Sequence, residues 1–164
     1  MKRLTRPCKV PVFIIPILCP VVLTFCANGI NVKSLDKLGD FDESQGNYVE
    51  AIKEYDKAIW YNPRDGQAYI KRGFAYEKLG DDQRAISDYT KAIEIFPDDP
   101  ELYVVRGIVY ARIGEHQRAL YDYSRAIDLD PMNRDAYLYR AELYRKLGNN
   151  ELSDGDLQKA ATLQ

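Results

Sequence analysis

Between residues 66 and 96 the apolar positions form two runs with helical spacing. In both runs, 66–79 and 83–96, apolar or small side chains recur three and four residues apart. Such spacing builds one apolar stripe along each helix. Between the runs, Gly80 can adopt the left-handed conformation that ends a helix, and Asp81 can cap the next one. The pattern therefore predicts two helices joined by a tight turn.

The same helix pair recurs along the chain every 34 residues. Positions at that interval hold the same residue type: Tyr69, Tyr103 and Tyr137; Tyr76, Tyr110 and Tyr144; Gly46, Gly80, Gly114 and Gly148; Ala58, Ala92, Ala126 and Ala160; Pro63, Pro97 and Pro131. A fixed period of about 20–50 residues indicates a stack of units, each too small to bury its own apolar face. We predict helices at 66–79, 83–96, 100–113, 117–129 and 134–147, with N-caps at Asp65, Asp99 and Asn133.

Each inner unit has the order aromatic, small residue, aromatic, alanine, aromatic, alanine, proline. Two units hold all seven: Tyr69, Gly73, Tyr76, Ala85, Tyr89, Ala92 and Pro97, then Tyr103, Gly107, Tyr110, Ala119, Tyr123, Ala126 and Pro131. This order resembles the tetratricopeptide repeat family. The resemblance covers residues 32–164. It implies an all-α, right-handed superhelical solenoid of antiparallel helix pairs, with a repeat domain over 28–164 and units at 32–65, 66–99, 100–133 and 134–164.

The two end units depart from the repeat pattern. In the first unit Asp42 stands at the second aromatic position, so we expect 34–44 to be the weakest helix. The last unit has Ala141, Ser153 and Leu157 at pattern positions, which suits a stack whose outer faces meet water. No capping helix follows, which leaves apolar side chains on the last helix at Leu152, Leu157, Ala160, Ala161 and Leu163.

Residues 1–27 have the composition of a targeting segment. A basic stretch, Met1–Lys9, precedes an apolar stretch, Val10–Phe25, as in secretory signals. Three outcomes stay open: cleavage near Cys26 or Ala27, retention as a membrane anchor, or lipidation of Cys26 within a lipoprotein-like box. We therefore expect an exported protein of the periplasm, cell envelope or exterior, in contact with a membrane through this segment alone.

Composition narrows the classes of partner. The net charge is −2, and the targeting segment holds four basic and no acidic residues, so the repeat domain is more acidic still. That balance argues against nucleic acid as a partner.

All three cysteines, Cys8, Cys19 and Cys26, lie in the targeting segment. His116 stands alone, and we interpret it as a solvated turn residue. We predict no enzyme activity, no metal site and no cofactor.

A charged set also follows the repeat. The arginines are Arg72, Arg106 and Arg140, and the acids are Glu54, Asp88, Asp122 and Asp156. One hypothesis is an anion-binding row of arginines. The favoured one is an internal ionic ladder beside the helix interface, because acids at the same period would neutralise the arginines.

In the family that the chain resembles, the first helices of the units line a concave groove that binds ligands. The matching positions here are Ile70, Phe74, Val104, Ile108, Leu138 and Glu142, followed by a basic rim at Lys78, Arg112, Arg145 and Lys146. The lysine and asparagine that clamp a peptide carboxylate in this family are replaced by Ile70 and Phe74, which disfavours that ligand class. An amphipathic helix or an extended peptide with acidic flanks suits this surface. The alternative is that these side chains pack against neighbouring helices.

These patterns predict a scaffold or adaptor that binds a peptide or helix of a partner protein. The rival hypothesis is a self-assembling, homo-oligomeric envelope protein. Trp60 occupies the place of Glu94 and Asp128 in later units. It is either an exposed interface anchor or, as we favour, a side chain that covers the weak first helix.

Overall fold

The computed structural model describes residues 37, 39, 40 and 42–163, and these residues include helices and turns but no strands. Seven helices have bounds within this part: α1 (Tyr48–Tyr61), α2 (Gly66–Lys78), α3 (Asp82–Ile95), α4 (Pro100–Arg112), α5 (His116–Leu129), α6 (Arg134–Lys146) and α7 (Asn150–Thr162). Residues 37, 39, 40 and 42–44 before α1 are also helical. The five predicted helices are confirmed, each end within one residue. The predictions for residues 1–27, including Cys26, lie outside the described residues.

The turns between paired helices use glycine in the left-handed region. Gly80 and Gly114 have φ of 76° and 84°, which side chains with a Cβ adopt at a cost. The predicted N-caps are confirmed, because Asp65, Asp99 and Asn133 each accept a hydrogen bond from a backbone N–H in the first turn of the following helix. The helix ends are therefore fixed by local chemistry that repeats with the sequence.

Each helix packs on the helices before and after it, so the pairs α2/α3, α4/α5 and α6/α7 stack in order. The first helices α4 and α6 also contact each other directly. The first helices thus form one face of the stack, and we call the surface of α2, α4 and α6 the inner face. Within residues 42–163, no helix is long and apolar enough to cross a membrane.

The core of each inner unit is a buried tyrosine set against a glycine. A Cβ placed on Gly73 would lie 2.9 Å from Cε1 of Tyr89, and one on Gly107 would lie 2.7 Å from Cε1 of Tyr123. Both distances are shorter than a carbon–carbon contact allows. The glycines therefore permit the tyrosine rings to fill the crossing between paired helices, as the small-residue positions predicted.

The last helix has less uncovered apolar surface than we expected. Ala160 and Leu163 are buried in a cluster with Tyr137, so the expectation that they face outward was wrong. Leu152 and Leu157 remain 53% and 41% exposed. The side of α7 that packs on α6 is buried, and the two leucines flank it, about 140° apart around the helix axis.

Candidate partner-binding site

The repeat-spaced arginines are partly buried, and each binds an acid 16 residues later, on the second helix of the same pair. Arg106 donates from Nε and Nη2 to the carboxylate of Asp122 at 2.9 and 2.8 Å. The same two-bond arrangement joins Arg72 to Asp88 and Arg140 to Asp156. The ionic ladder is therefore confirmed. These arginines do not form an anion-binding row on the surface.

Two details complete the ladder. Burial alone would lower the pKa of Arg106, but the hydrogen bonds and charge of Asp122 raise it overall, so the guanidinium stays protonated. In the described part of the chain Glu54 has no arginine partner. The residue 16 positions before it, where the later acids have their arginine, is Leu38. Among the described residues Glu54 pairs instead with Lys57, at 2.6 Å.

The inner face holds two hollows, one at each junction between first helices. The first, which we call the α2–α4 hollow, has a volume of about 420 Å³, and its apolar lining includes Ile70, Phe74, Leu102 and Val105. The second, the α4–α6 hollow, has a volume of about 440 Å³. Its lining combines apolar side chains with charged ones from α4 and α6: Ile108, Leu143, Arg112, Glu142, Arg145 and Lys146. Seven of the ten predicted groove residues therefore line a hollow.

Three predicted groove residues do not line either hollow. Val104 is 3% exposed and belongs to a core cluster with Ala136, so it serves packing between units, and its assignment to the groove was wrong. Leu138 is half-buried against the cluster around Tyr137. Lys78 lies beside the α2–α4 hollow, with its ammonium 4.6 Å from the centre of the Phe74 ring.

The basic rim is smaller than the sequence suggested. Arg112 is bound by two acids of the preceding unit, Asp82 at 2.7 Å and Glu77 at 3.2 Å. Within residues 42–163, Arg145 and Lys146 make no ion pair. The cations that remain available at the α4–α6 hollow are therefore the two on the last turn of α6.

Sequence reasoning missed the aromatic wall of the α4–α6 hollow. Tyr139 lines it and stacks on Tyr123, with ring centroids 6.1 Å apart. Residue 139 follows Lys71 and Val105 in the repeat, so no periodic signal marked it. Tyr123 was assigned to the core alone, although its ring also borders the hollow.

Two single residues differ from their favoured interpretations. Trp60 is 75% exposed and contacts Tyr61 edge to face, with ring centroids 4.7 Å apart, so it does not cover the first helix.

His116 is the first residue of α5, and its Nδ1 is buried without a hydrogen-bond partner in the described part of the chain. It is therefore more enclosed than a solvated turn residue. No cluster of three or more metal-binding side chains occurs among the residues that the structure describes.

Family models agree with the repeat geometry. A model described as TPR repeat matches residues 39–80 and 109–148, and two described as Tetratricopeptide repeat match 66–99 and 88–121. The chain belongs to the tetratricopeptide repeat family. Its fold is the helix-pair solenoid of that family, and general protein–protein interaction is the function this family supports.

Solved and curated relatives extend this comparison. The crystal structure of MamA is similar with a TM-score of 0.79 and 26% identity, covering 86% of this chain and 82% of that one. The first TPR of Spaghetti (RPAP3), bound to the HSP90 peptide SRMEEVD, has a TM-score of 0.67 and 26% identity over 71% of this chain and 93% of that one. Hsp70-Hsp90 organizing protein 1 of Arabidopsis thaliana is 47% identical over 51 residues, 27% of this chain and 9% of that protein. The chain thus matches a small part of that relative's length.

Proposed function

We propose that this protein is a non-catalytic scaffold that docks a segment of a partner protein along its inner face. The observation that carries the proposal is the pair of adjacent hollows, each lined by apolar side chains of successive first helices. A similar TPR was solved with a peptide bound, which supports the same use of the fold here.

The chemistry of the hollows specifies the segment. Ile70, Phe74 and Ile108 offer half-buried apolar surface that an apolar side chain can cover. At the α6 end, Arg145 and Lys146 add charges without carboxylate partners among the described residues. The fitting ligand is an amphipathic helix or extended peptide that alternates apolar and acidic residues.

Peptides selected by display against the purified full chain provide the test. We expect Phe74→Glu and Ile108→Glu to abolish their binding with the far-ultraviolet circular dichroism spectrum retained, because a charge would then face the apolar side chain of the ligand. Tyr121→Glu is the matched control, because Tyr121 is exposed on the second helix α5, and it should bind normally.

Two results would contradict the proposal. Folded glutamate variants that bind as tightly as the parent chain would place the ligand elsewhere. Glutamate variants that unfold would assign Phe74 and Ile108 to packing, since a charge buried in a core costs several times more than the roughly 0.5 kcal/mol of an exposed change.

Self-assembly is the second candidate, and the observation that favours it is the exposed side of α7. Leu152 and Leu157 of α7 each leave apolar surface exposed, which a second copy of the chain would cover. Under this hypothesis light scattering gives the mass of a dimer or larger species, and Leu152→Glu with Leu157→Glu restores the monomer. A monomer at all concentrations in the parent chain would reject it.

We further propose that the scaffold is exported, with residues 1–27 as its targeting segment. The basic stretch followed by an apolar stretch supports this assignment. Intact mass of the protein from its native source tests it: loss of about 26 residues indicates cleavage, and a diacylglyceryl mass on Cys26 indicates lipidation. A soluble species that retains Met1–Lys9 would contradict export.

A further inference from the structure

The buried tyrosines of successive units differ in one respect, which is the partner of the hydroxyl. Tyr89 donates to Glu77 at 3.1 Å, and Tyr55 donates to Glu43 at 2.9 Å, so both use an acid 12 residues earlier. In the next unit that position is Ala111. The Tyr123 side chain is 2% exposed and borders the α4–α6 hollow, and among the described residues its hydroxyl makes no hydrogen bond. This oxygen is not enclosed, since the buried side-chain atoms without a partner in the described part of the chain are Oε2 of Glu54 and Nδ1 of His116, so the Tyr123 hydroxyl can donate to a group that enters the hollow.

Lys146, the equivalent of Arg112 one unit later, also lacks a counterpart of Glu77. Arg112 contacts both Glu77 and Asp82 of the preceding unit. Lys146 occupies the equivalent position one unit later, where Ala111 and His116 replace the two acids. The described part of the chain offers Lys146 no carboxylate within ion-pair distance. Tyr89 and Arg112 share one acid, Glu77. Their equivalents Tyr123 and Lys146 do not, because residue 111 is an alanine.

The α4–α6 hollow lies where this acid is missing. Tyr123, Ala111, Arg145 and Lys146 line it together with the apolar side chains of Ile108 and Leu143. Its other charged groups are Glu142 and Arg112, and Arg112 pairs with two acids outside the lining, Glu77 and Asp82. Two cations without ion-pair partners thus face one acid, in a chain whose net charge is −2. Among the lining groups without an ion-pair partner, the cations exceed the acids by one, and one further carboxylate would pair with the remaining cation.

We propose that the α4–α6 hollow receives the carboxylate of a glutamate or aspartate side chain from the docked partner. This carboxylate takes the role that Glu77 has in the preceding unit, accepting a hydrogen bond from Tyr123 and pairing with Lys146 and Arg145. A neighbouring apolar side chain of the partner packs on Ile108 and Leu143. The inference rests on the proposed docking along the inner face and specifies its anchoring chemistry.

Restoring the acid within the chain tests the site without a ligand. Ala111→Glu should melt at a higher temperature than Ala111→Gln, which has the same shape and similar helix propensity but no charge. The difference should shrink in 1 M NaCl, where the Debye length is about 3 Å, and in a Tyr123→Phe background. Equal melting temperatures for the two variants would overturn the assignment of a carboxylate site.

The ligand test uses acetyl-Leu-Glu-Leu-amide as the probe and its glutamine twin as the matched control. In methyl spectra of the full chain, we expect the glutamate peptide to shift Ile108 and Leu143 with an affinity about tenfold higher than the twin, since hydrogen bonds to a charged group are the stronger kind. Tyr123→Phe should lose most of this preference. Tyr89→Phe should keep it and lower the melting temperature, because the hydroxyl of Tyr89 is bonded within the chain.

The outcomes separate this inference from the broader proposal. Equal binding of the two peptides, or shifts at Ile70 without shifts at Ile108 and Leu143, would overturn the carboxylate site and leave docking on the inner face intact. Shifts absent from the whole inner face, with this probe and with display-selected peptides alike, would overturn both.

Discussion

Removing one charge of the buried Arg106–Asp122 pair should lower the free energy of unfolding far more than removing both charges. Asp122 is 1% exposed, and the two hydrogen bonds from Arg106 are its ion-pair contacts within the described residues. Arg106→Met would leave this carboxylate buried without its cation. Breaking a buried pair in this way costs about 3–5 kcal/mol, a large share of the roughly 5–15 kcal/mol that stabilises a domain.

The matched variants isolate the charge effect from lost packing. Arg106→Met combined with Asp122→Leu removes both charges and keeps apolar volume, so its cost should be smaller than that of Arg106→Met alone. Lys53→Met breaks an ion pair with Glu50 in which both side chains are more than half exposed, and its effect should be close to zero. Urea unfolding followed by circular dichroism gives the midpoint and the slope for each variant.

Two results would refute this reasoning. If Arg106→Met destabilises no more than Lys53→Met, the ladder contributes little despite its burial. If the double variant is less stable than the single one, the arginine matters through its stem and its contacts with Tyr103 and Tyr110, whose ring centroids both lie 5.8 Å from its guanidinium carbon.

Further predictions concern packing, exposure and local stability. Gly107→Ala should cost about 1–3 kcal/mol, because its Cβ would press on the Tyr123 ring, and thermal melting measures the loss. Gly155→Ala, with no atom within 4 Å of the added Cβ, should instead stabilise by about 0.5–1 kcal/mol in the same assay. Trp60→Ala should change stability by no more than about 0.5 kcal/mol, and the parent tryptophan should emit at a solvent-exposed wavelength. Amide exchange in 34–44 should be the fastest outside the termini, and slower exchange there than in α3 would contradict this prediction.

The sequence predicted those features that depend on neighbours within about one unit. Helix ends follow from Gly80, Asp81 and their equivalents, which act within a single turn. The ladder was also predictable, since arginine and acid repeat with the same period at a fixed offset. In both cases the local signal and the packed structure agree, as expected for a stack built from nearest-neighbour contacts.

Features that depend on particular side chains of another unit escaped sequence analysis. Val104 occupies the same repeat position as Ile70 and Leu138. It is nevertheless buried, because equivalent positions contact different side chains at each junction between units. Arg112 was taken for a rim cation, although its acids lie 30 and 35 residues earlier. The missing acid at Ala111 did have a signal in the sequence, since comparison with Glu43 and Glu77 exposes it.

The most direct test of docking on the inner face is nuclear magnetic resonance mapping of a display-selected peptide on the full chain. We expect the perturbed signals to concentrate at Phe74, Ile108 and Tyr139, and the chain to keep the mass of a monomer with one peptide bound. Perturbations centred on Leu152 and Leu157 of α7, or on Trp60, with unchanged signals from the two hollows would contradict it.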